Sequence, residues 1–218
     1  MFRLSLLLAL VPVALPAQIA PLAGKIEGDT YISATGEFSL PLPVMRELGG
    51  TVSDTENVVT FSDSYSTHIS IACFPQDSLQ RWELETRGRR DYLLYFFTDF
   101  VLADFDRRFP GSKIESARFV PELHDGALIT YADLPGGSHF EPKDGVLGPA
   151  SANRVTAKRG TLLFVRHGHV FILSTELAER ATQRSTYDAT PEKENTQLTA
   201  RLTELAGRLI FPVPPLRS

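Results

Sequence analysis

Four of the five histidines stand close to acidic or turn residues in groupings that could hold a metal or move a proton: His124-Asp125, His139 with Glu141, and His167 and His169 on either side of Gly168. Imidazole and carboxylate are the ligands of zinc or copper and the common general acids and bases. Their spacing argues against a preformed site. His167 and His169 flank a turn glycine instead of projecting from one rigid face, and His124-Asp125 runs into Gly126 at a second turn. The metalloprotease pattern of two histidines four apart with an adjacent Glu is absent, and solvated turn residues are the plainer account of all four. Serine hydrolysis has no Gly-x-Ser-x-Gly elbow, and Gly137-Ser138-His139 supplies a nucleophile and a base that are neighbours only along the chain. Gly136-Gly137 and Gly145-x-x-Gly148 do not lie between a clear strand and a helix, so no phosphate loop or dinucleotide fingerprint is present and no cofactor is implied.

Arg87, Arg89 and Arg90 form the sharpest charge cluster. Guanidinium groups offer paired donors to carboxylate or phosphate, and a helix restarting near Asp91 after Gly88 would add backbone donors beside the Pro135–Gly160 loop. The competing account is a solvated helix break neutralised by Glu83, Glu85 and Asp91.

Positioning these residues requires strands first. Tyr31-Ile32-Ser33, a turn at Thr35-Gly36, and Phe38 to Pro43 predict an opening hairpin whose end, with Pro41 and Pro43, lies at a sheet edge. Val58–Phe61 and His68–Phe74 predict a meander, in which period two sets Cys73 beside Ile69 and Ile71 on an apolar face. Asp77 and Gln80 match a capping box. The helical region they open carries Leu79, Trp82 and Leu84, weakens at Gly88, and resumes through Tyr92, Leu93, Phe96, Phe97, Phe100, Val101 and Phe105 to Pro110. Trp82 is expected to face inward, and the aromatic density implies burial on more than one side, between the sheet and another element. Four more strands follow at 113–120, 126–134, 161–165 and 170–174, the last two joined by a tight hairpin at Gly168. Thr190 as N-cap, Pro191 at the first turn, and Leu198, Leu202, Leu205 and Leu209 at helical spacing predict a closing helix that runs to Pro212. All the strands are expected to join one sheet. The fold class is α+β: an antiparallel sheet covered by a long aromatic-rich helix and a C-terminal helix.

Arg3, the apolar run Leu4–Val13 and the small Ala17 read as a cleaved secretory signal, with Pro12 and Pro16 interrupting a run too short for a stable transmembrane segment. The expected organisation is a signal peptide over 1–17, a linker over 18–29, one domain over 30–211 and a tail over 212–218. A net charge of −4 with both signs interspersed gives no reason to expect nucleic acid as a partner. One cysteine cannot form an internal disulfide, so a periplasmic or secreted protein of this kind relies on packing.

The opening Tyr31-Ile32-Ser33 and Gly36 to Pro43 resemble the entry hairpin of PsbP-like domains, and the order of hairpins, long helix, antiparallel strands and terminal helix is similar over most of Thr30–Phe211. The chain also resembles exported bacterial proteins that share this hairpin. The PsbP-like resemblance implies an α/β/α sandwich and an accessory or binding role, and it carries over no functional residue. The expected function is a noncatalytic envelope module whose partner is an envelope protein or a small anionic ligand. The alternative is a secreted metal-dependent or serine hydrolase built from the histidine-bearing turns. Convergence of His124, His139, His167 and His169 in space separates the two.

Overall fold

Period-two alternation along seven segments produces an antiparallel sheet in the order β4-β5-β6-β10-β9-β8-β7. The strands are β4 (Thr51–Asp54), β5 (Val58–Ser62), β6 (His68–Pro75), β7 (Lys113–Val120), β8 (Ala127–Pro135), β9 (Thr156–Arg166) and β10 (His169–Glu176). The computed structural model describes residues 21–140, 155–183 and 186–212. The expected signal peptide, Glu141, most of the long Pro135–Gly160 segment and residues 213–218 of the expected tail lie outside the described residues. The alternation is strict: Ile69, Ile71 and Cys73 of β6 point to one face, while His68, Ser70 and Ala72 point to the other.

The first face carries the larger core. Phe61, Ile71, Cys73, Ile129, Leu162, Phe164, Phe171 and Leu173 meet helix α5 (Pro191–Gly207) through Leu198, Leu202 and Leu205. Thr190 caps α5 by accepting from Lys193 N, and Pro191 occupies its first turn, as the sequence predicts. The helix ends at Gly207, short of Pro212, because the chain turns to pair Ile210 with Ser39. The same face also receives a separate three-stranded sheet of β1 (Lys25–Glu27), β2 (Thr30–Ile32) and β3 (Ser39–Pro41), with β3 and its Pro41 at an edge. The expectation of one sheet is therefore corrected. Tyr31, Phe38 and Leu40 lie face-on against the large sheet, with the Tyr31 and Phe61 rings edge to face at 5.6 Å, so burial of these side chains takes the place of strand pairing. The expected linker is corrected over part of its length: Lys25–Glu27 pairs with β2, and Ala23 N and Gly24 N both donate to Asp54 at 2.8 Å.

The second face is covered over β7 to β10 by a helical run. Asp77 and Gln80 close the predicted capping box at the start of α1 (Ser78–Arg87). Gly88, at φ 76°, separates it from α2 (Arg89–Phe96), a π-helical turn over Phe97–Leu102 and α3 (Ala103–Arg108) follow. Tyr92, Leu93, Phe96, Phe97, Val101 and Phe105 pack on Leu128, Leu134, Leu163, Val165 and Val170. Two expectations fail here. No residue of α1 is buried and Trp82 is 57% exposed, because the break at Gly88 carries α2, and not α1, down onto the sheet. Among the described residues, no further element covers the outer side of the aromatic run, and Phe100 is half exposed.

Beneath α5 a buried ionic network ties the layers together. Lys158, fully buried on β9, pairs with Glu115 and lies 3.7 Å from Glu194. Arg180, on the short helix α4 (Glu179–Thr182), donates to both oxygens of Glu194, at 2.6 and 2.9 Å, and to Asp133 at 2.6 Å. Tyr187 completes the arrangement with a hydroxyl donated to Glu194 at 2.8 Å. No helix among the described residues is long and apolar enough to cross a membrane.

Candidate functional site

The helical run covers only part of the second face, and between it and strands β5, β6, β10 and β9 lies a cleft of about 1080 Å³. Its volume is slightly above the ~300–1,000 Å³ typical of small-molecule sites. The floor follows from strand register. Thr60 is opposite Ser70, Ser70 opposite Ser174, and Ser174 opposite Thr161, so four hydroxyl side chains form one row across four strands. At a strand spacing of ~4.8 Å the row spans about 14 Å. Its next member, Thr130 under the helices, has a buried Oγ1 with no hydrogen-bond partner among the described residues.

Arg159 lies two residues before Thr161 on β9 and faces the same way. Its guanidinium carbon is 5.9 Å from the ring centres of both Phe105 and Phe109, and its Nε is buried without a hydrogen-bond partner among the described residues. Burial holds its pKa below the ordinary guanidinium value, with Glu176 opposing this shift and Arg108 adding to it. The group nevertheless stays cationic. Glu176 is opposite Arg159 across the β9–β10 pair, fully buried. Its oxygens accept from Ser138 Oγ at 2.5 Å and His139 N at 2.9 Å. The His139 ring stacks on His68 at 4.2 Å, at the end of the cleft floor. The opposite wall is apolar: Phe96, Phe100, Val101 and Phe105, with the Phe96 and Phe100 rings 4.8 Å apart. The π turn, whose wider winding often marks functional sites, aims Phe100 and Val101 at this wall. Arg107 and Arg108 at the rim share one carboxylate, that of Asp104.

The residues singled out in the sequence are placed elsewhere, or in supporting roles. Arg87 pairs with Glu83 and lies 4.7 Å over the Tyr95 ring; Arg89 donates to Val165 O at 2.8 Å and so anchors α2 to β9; Arg90 is exposed, 4.0 Å from Asp91. His124 stacks on Phe164 at 4.1 Å, and both it and His167 present edges to Phe211. His169 Nδ1 is 3.0 Å from His167 O and 3.6 Å from Glu37. His139 packs instead with His68. Among the described residues no group of three histidine, cysteine, aspartate or glutamate side chains is placed to hold a metal ion. Ser138 spends its proton on Glu176, and thereby ties the segment leaving β8 to β10.

Sequence reading missed Arg159, His68 and the hydroxyl row. The one available signal was the polar residue that interrupts each of four apolar strands: Thr60, Ser70, Thr161 and Ser174. Only register shows that the four are side by side.

Comparison with protein-family models and with curated proteins finds no match. Solved structures similar to this chain include a protein from Bacteroides thetaiotaomicron (10% identity over 87% of this chain and 50% of that one, TM-score 0.44), of which this chain spans about half the length. They also include CyanoP, the cyanobacterial PsbP of Synechocystis (13% identity, 92% and 98% covered, TM-score 0.46). A third is a variant of the protein Mog1 (8% identity, 85% and 96% covered, TM-score 0.47). The α+β class itself rests on the antiparallel pairing and the helices described above.

Proposed function

We propose that the chain is a noncatalytic binding module, exported to the cell envelope or beyond, whose ligand occupies the cleft between the helical run and strands β5, β6, β10 and β9. The open cleft, with hydroxyls on its floor and aromatic rings on its wall, is the observation that carries the reading. Such a mixture of apolar surface and a few convergent polar groups is typical of small-molecule sites. Export is supported by Arg3, the apolar Leu4–Val13 and Ala17.

Nile red, a neutral apolar dye, tests the cleft. The protein is expected to brighten the dye, and Ser174→Phe, which places a ring on the floor, to abolish the signal while circular dichroism stays native. Equal brightening by both proteins would place the dye elsewhere and remove the reading. Export is checked by mass spectrometry of protein recovered from cells, with a new terminus near Gln18 expected; an intact Met1 on envelope protein would contradict cleavage.

A further inference from the structure

We infer that the cleft takes an amphipathic monocarboxylate, with its carboxylate on Arg159 and its apolar body along Phe96, Phe100, Val101 and Phe105. This rests on the reading of the cleft as the ligand site. Arg159 and Arg166 stand apart from the other arginines that hold this fold, and of the two only Arg159 lines the cleft, Arg166 lying over the Phe211 ring. Arg89 is anchored on a carbonyl, Arg180 on Glu194 and Asp133, and Arg107 and Arg108 on Asp104, whereas Arg159 keeps a buried Nε without a partner. Arg159 is part-exposed and lines the cleft, so the outer nitrogens of its guanidinium, rather than the enclosed Nε, are the donors that a ligand oxygen in the cleft can reach, and no ion pair among the described residues occupies them. Glu176, the acid opposite, is committed to Ser138 and to the His139 backbone.

Charge selects the anion. Arg159 is the cation at the head of the site, with Glu176 beside it, and the rest of the lining sets two arginines, Arg107 and Arg108, against three aspartates, Asp77, Asp99 and Asp104, so no excess of positive charge surrounds it. A carboxylate adds a single negative charge and suits the planar guanidinium fork. A phosphate monoester at neutral pH would set nearly two negative charges against that one cation, close to Glu176. The uncharged hydroxyls of Thr60, Ser70, Ser174 and Thr161 supply further polar contacts without altering this balance. The aromatic wall, with Phe100 48% exposed, gives an alkyl or ring body a surface to bury.

Competition against Nile red with decanoate, decanol and decyl phosphate tests the assignment. Decanoate is expected to displace the dye at concentrations about tenfold or more below decanol, the advantage of a charge-assisted pair over a neutral hydroxyl, and below decyl phosphate. Arg159→Gln is expected to erase the advantage over decanol while still binding the dye. Decanoate no better than decanol, or an advantage that survives in Arg159→Gln, overturns the carboxylate site; decyl phosphate equal to or better than decanoate overturns the choice of anion. The ranking of the three competitors on the unaltered protein stands even where the variant does not fold. Failure of the dye itself to bind in the cleft is a separate result, and it strikes the cleft reading instead.

Discussion

Trp82 and Glu194 show how little residue type alone says about energetic weight. A tryptophan in a helix suggests a core anchor, yet Trp82 is on α1, where Leu84 is half-buried against the core and no residue is fully buried. Trp82→Ala is therefore expected to move stability by no more than about 0.5 kcal/mol, whereas Leu93→Ala, at a fully buried position, is expected to cost about 2–5 kcal/mol; urea denaturation of the two variants checks the contrast. Glu194 looks like one of many solvated helix acids and is in fact buried against Lys158 and Arg180. Its removal leaves buried cations short of a counter-charge. Glu194→Ala is expected to cost about 3–5 kcal/mol, and a loss below 1 kcal/mol would show that the network relaxes around water. Cys73 is buried as its strand period predicts, with its thiol pushed up to about 12 by burial and by Glu37.

Among the elements, β9 does the most structural work, since it pairs with both β8 and β10 and packs under α5. The contact is close because Gly160 leaves room: a Cβ there would meet Leu202 Cδ1 at 3.0 Å and Leu198 Cβ at 3.1 Å. Gly160→Ala is expected to destabilise by about 1–3 kcal/mol through overpacking, read from the same urea midpoints, and a stabilising effect would show that α5 can lift without loss. The β9–β10 hairpin turns on His167 and Gly168, both at positive φ (48° and 74°), which matches the right-handed twist of the flanking strands. These two histidines, His167 and His169, serve a turn, and their spacing is explained without a ligand.

Across the whole molecule, acid should act through four carboxylates held below their ordinary range. In each, burial works to raise the pKa and hydrogen bonds overcome it: Gly24 N, Tyr31 hydroxyl and Ala23 N on Asp54, the backbone of Ser66, Thr67 and Tyr65 on Asp63, Lys158 and Asn195 on Glu115, and Arg201 on Glu179. Their folded values lie below the unfolded ones, so the unfolded chain binds more protons in acid. The stabilisation is complete above about pH 5, is lost progressively below it, and disappears as pH falls through the folded values. His124, depressed by burial and by Arg166, works in the same direction from about pH 6.5 downward. The urea midpoint is expected to dip slightly below pH 6.5 and steeply below pH 4; a midpoint that rises between pH 5 and pH 3 would contradict this.

Local chemistry alone determined much of the architecture. The capping box at Asp77, the Thr190-Pro191 helix start, the break at Gly88, the hairpin at Gly168 and the inward face of β6 each depend on residues a few positions apart, whose preferences act before any tertiary contact forms. Separation of the strands into two sheets, exposure of Trp82 and closure of the Lys158 network depend on which distant surfaces meet. The candidate site belongs to this second kind. Thr60, Ser70, Thr161 and Ser174 are spread over 115 positions of chain and become one row only through pairing register, and Arg159 takes its part-buried place on the cleft only when α3 and Phe109 close against it. No local propensity encodes such a juxtaposition, because its energy comes from contacts between residues far apart along the chain.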